Sequence, residues 1–278
     1  MTVSIITRLT FREASRRWVM WVALLLGILF LVVYAIGLNE IEKDIRGQSG
    51  SLNALVSEEF HSFFLMAGLY VVNFMTIMMA VLTSVDTISG EINSGTIQTL
   101  VSKPVKRWEI LIGKWVGLLC MLTIYYLIMA GGVLLFVYLR TGYMPAHAMR
   151  ALGLLWMNIC VMLGVSFLGG SLFSTLANGV MVFGLYGVAF IGGWIEQFGA
   201  FLNNQAAVNI GVVCSLLLPS EAMWKRAAFE IQSPLVAAMG VSPFSSLSVP
   251  SGLMVLYAGL YAVGFLGLAA WNFSRRDL

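Results

Sequence analysis

Residues 86–114 read D-T-I-S-G-E-I-N-S-G-T-I-Q-T-L-V-S-K-P-V-K-R-W-E-I-L-I-G-K, a polar and cationic interval between two long apolar segments. The uncharged run 60–85 precedes it, and an apolar stretch from about Trp108 to residue 139 follows. Each flank exceeds the ~20 residues a helix needs to cross a hydrocarbon core, so the flanks belong in lipid and the interval in water. Inside it, Ser94 stands before Gly95, Thr96 and Ile97, where a hydroxyl can accept from the first free N–H groups of a short helix. Ile97, Leu100 and Val101 fall at i, i+3 and i+4, with Gln98, Thr99 and Ser102 on the other side. Pro104 disfavours helical geometry at Lys103 and ends the helix. Two turns do not hold together unaided. The residues alone leave two readings: a solvated loop between spans, or a docking element whose apolar face enters a groove on a partner.

The rest of the chain divides the same way. Hydrophobic residues make up 59% of 278 and charged residues 10%, with mean hydropathy +0.90. Soluble domains carry about 25% charged residues, so this is an integral membrane protein. Residues 1–17 place Arg8, Arg12 and Arg16 at four-residue spacing, with Ile5, Ile6 and Leu9 available for an apolar side. That pattern fits a helix lying in the membrane interface. The uncharged run 18–38 is too long for a signal peptide's apolar region and long enough for a span. A polar connection over 39–59 leads to the second span, 60–85. The third covers 108–139, with Lys114 close enough to its start to snorkel.

After a short link, residues 151–195 carry no charge. One helix of that length overshoots a bilayer, so two spans are expected, 150–173 and 179–197, with a turn in Ser174-Thr175-Leu176-Ala177-Asn178-Gly179. Gly164, Gly169, Gly170, Gly184, Gly187, Gly192 and Gly193 read as close-packing surface. In the connection 198–250, the apolar run 206–218 is too short to span and reads as re-entrant or interfacial. Pro219-Ser220-Glu221 breaks it and caps a second short helix, 222–231. The last span is 251–273. The fold class is therefore an all-α membrane protein of six transmembrane helices, with an N-terminal interfacial helix and a re-entrant segment before the last helix.

Asp86, Ser89-Gly90-Glu91, Ser94-Gly95-Thr96, Gln98-Thr99-Leu100, Lys103-Pro104, Arg107 and Gly113-Lys114 together resemble the cytoplasmic loop of type-2 ABC transporter permeases. The likeness is specific over residues 84–117 and extends as a hydropathy pattern along the chain. Leu-Pro-Ser-Glu-Ala-Met-Trp at 218–224 is similar to that family's outer loop before the last helix. The resemblance implies a single permease domain over 1–278, closest to the separate-subunit bacterial permeases. It implies that the loop 86–107 carries a coupling helix seated on an ATP-hydrolysing subunit. The coupling residues it points to are Asp86, Ser89, Gly90, Glu91, Ser94, Gly95, Thr96, Ile97, Gln98, Thr99, Leu100, Lys103, Pro104 and Arg107. It further implies a second permease copy or homologue, membrane lipid and no nucleic acid as partners. ATP and Mg²⁺ then belong to the partner ATPase, with no cofactor in this chain. A bacterial or archaeal cell membrane and a direction of export follow from the same likeness. With it, the docking reading is preferred over the plain loop.

Charge sets the orientation. With six spans and the N-terminus inside, ten of the sixteen basic residues but only five of the thirteen acids fall on the inner side. The positive-inside rule then puts both termini and the 86–107 loop in the cytoplasm.

Other chemistries find no support in sequence. There is no G-x-x-x-x-G-K-[ST]: Gly113-Lys114 is followed by Trp115, and Trp108 stands where the first glycine should be. Neither H-E-x-x-H nor G-x-S-x-G occurs. His61 and His147 read as interfacial histidines near outer boundaries, and Cys120, Cys160 and Cys214 show no metal spacing. Cys120 and Cys160 read as small buried hydrophobes. Met75, Met78 and Met79 invite a Cu(I) reading, against which stands methionine's ordinary use as a gap-filler. No charge reads as central to a span, with Glu196 at the outer end of the fifth, which argues against a proton-coupled carrier. A stand-alone carrier or channel, or a membrane anchor that recruits a cytosolic protein, are the rival functions.

Overall fold

The computed structural model describes residues 2–47, 53–93, 106–233 and 248–275, and every element among them is α-helical. In order they are α1 (Thr2–Ala14), α2 (Trp18–Gly47), α3 (Asn53–Asn93), α4 (Arg107–Thr141), α5 (Ala148–Leu172), α6 (Thr175–Phe201), α7 (Gln205–Leu217), α8 (Ser220–Ile231) and α9 (Gly252–Arg275). Six of these, α2 to α6 and α9, are long and apolar enough to cross a membrane. Helices α7 and α8 meet at 110° across the Leu218-Pro219 break, as a re-entrant pair.

The helices overrun the limits read from hydropathy. Helix α2 continues through Glu40, Glu42 and Lys43 to Gly47, and α3 runs on to Asn93. Residues 86–93, read as the start of the polar loop, are therefore the last two turns of α3. At 1.5 Å per residue α3 is about 60 Å long, roughly twice a hydrocarbon core. Hydropathy marks where lipid ends, whereas a helix ends only where its backbone is stopped, and charged residues are good helix formers. At the other turn, α6 starts at Thr175, not after Gly179, so only Phe173 and Ser174 separate it from α5. Ser220, expected as a cap, is the first residue of α8 and makes no side-chain cap bond.

Helix α5 is the axis of the bundle. Every residue from Asn158 to Phe167 is buried, which requires neighbours on all sides; α3, α4, α6, α8 and α9 supply them. In its middle, Asn158 Nδ2 donates to Asn73 Oδ1 of α3 at 3.1 Å. Helix α2 is the outermost span, and its Leu25, Leu29, Val33 and Ile36 are exposed, as lipid-facing side chains are.

Small residues set the closest approaches. A Cβ on Gly164 would lie 3.0 Å from the Ala262 carbonyl of α9, and one on Gly192 would lie 2.3 Å from Cys214 Cβ. Gly184 and Gly187 face open space, so the packing reading fails for those two. Cys160 is buried as expected, but Cys120 is exposed on the outer side of α4. Leu216 and Leu217, in the last turn of α7, have carbonyls with no helical partner. They accept from the hydroxyls of Tyr257 (2.6 Å) and Tyr261 (2.9 Å), one turn apart on α9. Such a break at membrane depth is tolerated only where its backbone groups are satisfied in this way.

Candidate functional site

The segment 94–105 leaves the end of α3 and returns at the start of α4, so the side chains around those two ends decide what it is attached to. Ser94, Gly95, Thr96, Ile97, Gln98, Thr99, Leu100, Lys103 and Pro104 lie outside the described residues, as do the cap, the apolar stripe and the terminator read on them. Asp86, Ser89, Gly90, Glu91 and Arg107 lie within the described helices.

Lys114 stands two turns into α4, and Glu91 near the end of α3. Their side chains form an ion pair, with Lys114 only 4% exposed. The expected snorkelling is thus replaced by burial, because Glu91 supplies a counter-charge inside the bundle. Glu91, read as a cap for the loop or as a contact for a partner, is engaged inside the chain. One turn earlier, Asp86 accepts from Arg17 at 2.7 Å, and Arg17 also reaches Glu13 at 2.9 Å. Arg17 sits in the turn between α1 and α2, so this pair ties the N-terminal helix to α3.

The third tie is neutral. Ser89 and Thr175 hydroxyls lie 2.9 Å apart, joining α3 to the first residue of α6. Gly90 beside them is not required for the contact, since a Cβ there would stand 3.9 Å from Thr175 Oγ1, an ordinary van der Waals distance. Asn178, fully buried, donates to the Val85 carbonyl of α3 and the Ser166 carbonyl of α5, both at 3.0 Å. Ser84 and Ser166 hydroxyls are hydrogen-bonded at 2.7 Å. A Cβ on Gly169 would lie 2.1 Å from Asn178 Oδ1, so only glycine makes room for that amide.

On the α4 side, Arg107 is the first helical residue, and Glu109 accepts the Lys106 backbone N–H at 3.3 Å, a carboxylate placed where a helix start favours one. Helix α1 crosses α4 at Gly113 and Gly117, one turn apart. Ile6 and Thr10 sit over them, and Thr7 Oγ1 donates to the Gly113 carbonyl at 3.2 Å. Asn272 of α9 donates to the Ser171 carbonyl at 3.0 Å, so α1 and the last turn of α9 lie at the same end of the bundle as the end of α3 and the start of α4.

Sequence reading had not assigned roles to Arg17, Thr175 or Asn178. Asn178 was visible only as the polar point of an uncharged run. It also missed a buried cluster at the opposite end of the bundle. There Lys225 of α8 pairs with Glu196 of α6 at 2.7 Å, both side chains about 5% exposed, and Glu221 is buried one turn before Lys225. Gly193 and Gly211 give these carboxylates room. The histidines have acidic neighbours: His61 lies 2.8 Å from Glu42 and His147 3.8 Å from Glu230. No group of three or more His, Cys, Asp or Glu side chains fit to hold a metal occurs among the described residues.

Residues 4–278, nearly the whole chain, match the family described as ABC-2 family transporter protein. None of the curated proteins compared with the chain matches it.

Proposed function

The chain belongs to the ABC-2 transporter family and is a multi-pass membrane component of an ABC transporter, and from that premise we propose that it is an exporter's permease subunit, driven through residues 86–107 by a separate ATPase. The observation that carries this reading is the set of ties at the ends of α3 and α4. A force applied to the intervening segment acts on α3 and α4 at once. It reaches α1 and α2 through Asp86–Arg17, α6 through Ser89–Thr175, and the central helix through Asn178. A solvated loop has no need of buried ties at its roots, since a buried pair contributes little net stability over an apolar one.

In this mechanism the apolar stripe of Ile97, Leu100 and Val101 seats on the ATPase, which binds ATP and Mg²⁺. Closure of two ATPase subunits displaces the segment, and the Glu91–Lys114 pair makes α3 and α4 move as a unit. A second permease copy or homologue completes the translocation route. Termini and loop are cytoplasmic, in a bacterial or archaeal cell membrane.

Two changes separate docking from transmission. Co-purification with the ATP-hydrolysing partner should be lost in Leu100→Asp. The double change Glu91→Leu with Lys114→Met should keep the complex yet lose the permease's stimulation of ATP hydrolysis in liposomes. Retention of both complex and stimulation in Leu100→Asp overturns the docking assignment.

A further inference from the structure

Arg8 and Arg12 on α1 and Arg16 in the turn after it are exposed at four-residue spacing. They share that face with Ile5 and Leu9, 58% and 59% exposed. The two acids nearby, Glu13 and Asp86, are both engaged by Arg17. The three other arginines have no ion-pair partner among the described residues. Trp18 and Trp21 follow, 79% and 60% exposed; such rings settle at the level of lipid headgroups. From that level an apolar groove of about 500 Å³ runs between α2 and α3, lined by Trp18, Val22 and Leu26 on one side and Met75, Met78 and Leu82 on the other. No charged side chain lines it. Its volume is within the ~300–1,000 Å³ of small-molecule sites. The Arg17–Asp86 pair lies one turn beyond Leu82, so the groove's headgroup end adjoins the arginine-bearing turn.

We propose that the α2–α3 groove and the arginines of α1 and its following turn together bind one anionic phospholipid, an acyl chain in the groove and the phosphate at Arg12 and Arg16. Charge complementarity selects this occupant. A zwitterionic headgroup brings an amine that the arginines repel. A second copy of the chain would cover the groove but leave three arginines without counter-charge. The site is independent of the ATPase, so it stands or falls separately from the coupling reading.

The test uses the full chain in nanodiscs of equal phosphatidylglycerol and phosphatidylcholine, transferred to mild detergent and weighed by native mass spectrometry. One phosphatidylglycerol per chain should be retained in preference to phosphatidylcholine. Arg12→Gln with Arg16→Gln should reduce that preference roughly thirty-fold, each arginine near an anionic surface being worth about fivefold. Ala23→Trp, which fills the groove, should lower retention of the lipid, and Arg150→Gln at the opposite end should change nothing. Equal retention of the two lipids overturns the proposal, as does wild-type retention in both site variants. Disulfide-linked dimers of Val22→Cys in lipid would assign the groove to a second copy and overturn it too.

Discussion

Removing Lys225 and removing Glu221 should have opposite consequences, although the two side chains stand one turn apart on α8. The cluster holds two buried carboxylates, Glu196 and Glu221, and one ammonium, with Lys225 and Glu196 2.7 Å apart. Lys225→Met leaves both carboxylates without their cation, and breaking a buried pair this way costs about 3–5 kcal/mol. Glu221→Gln preserves the Lys225–Glu196 pair and replaces a carboxyl that burial already pushes toward its neutral form, so the variant should unfold close to the wild-type temperature. Unfolding temperatures in detergent, with Glu196→Gln as a third member, would order the variants; a Glu221→Gln protein as unstable as Lys225→Met refutes this charge balance. Sequence reading places Glu196 at the outer end of the fifth span and Glu221 and Lys225 in the connection after it, because a charge near an apolar run is read as the place where lipid ends. The partners lie 25 and 29 residues apart in sequence, and only their meeting in space makes burial tolerable.

At the scale of elements, the contact between α1 and α4 rests on two glycines. A Cβ at Gly117 would lie 2.8 Å from Thr10 Cβ and 2.9 Å from the Thr7 carbonyl, whereas one at Gly131 would meet nothing within 4 Å. Gly117→Val should lift α1 from α4, costing about 1–3 kcal/mol as overpacking does. Hydrogen exchange should quicken at residues 2–14 and stay unchanged in α5. Gly131→Ala, on the same helix, should leave exchange at its wild-type rate. Equal protection of α1 in the valine variant would show that this crossing does not hold the helix. The N-terminal helix itself was legible from its arginine spacing, and the re-entrant pair from a run too short to span. Its docking partner was not, because Gly113 and Gly117 look like any two glycines in an apolar stretch until a second backbone is brought against them. Nor was the length of α3 legible: its last two turns are polar, and polarity was taken for the end of the helix.

For the whole molecule, six spans and the contacts of α1 and α9 put α1, the last turn of α9 and the facing ends of α3 and α4 on one side. The bias of basic residues toward that side argues that it is the cytoplasm. Thr99→Cys, in an otherwise cysteine-free chain, should therefore resist a membrane-impermeant maleimide added to intact cells and react once the cells are opened. Labelling from outside would invert the topology and remove the segment from any contact with ATP. The ties around α3 lie near this end of the helix, and the Asn73–Asn158 pair joins α3 to the axial helix a second time about three turns further on.

Local chemistry was enough to read the membrane class, the six spans and the re-entrant break at Leu218-Pro219, while the family came from a resemblance over residues 84–117. Apolar runs of spanning length and a proline stop each act within one stretch of chain, and lipid imposes the same demand on every such stretch. Which charges are paired, which glycines admit a neighbour and which helix forms the axis depend on residues far apart in sequence. Lys114 meeting Glu91, Arg17 meeting Asp86 and Asn178 reaching Val85 were settled by how five helices pack around α5, since ion pairs and hydrogen bonds act over a few ångströms of space whatever the length of chain between them.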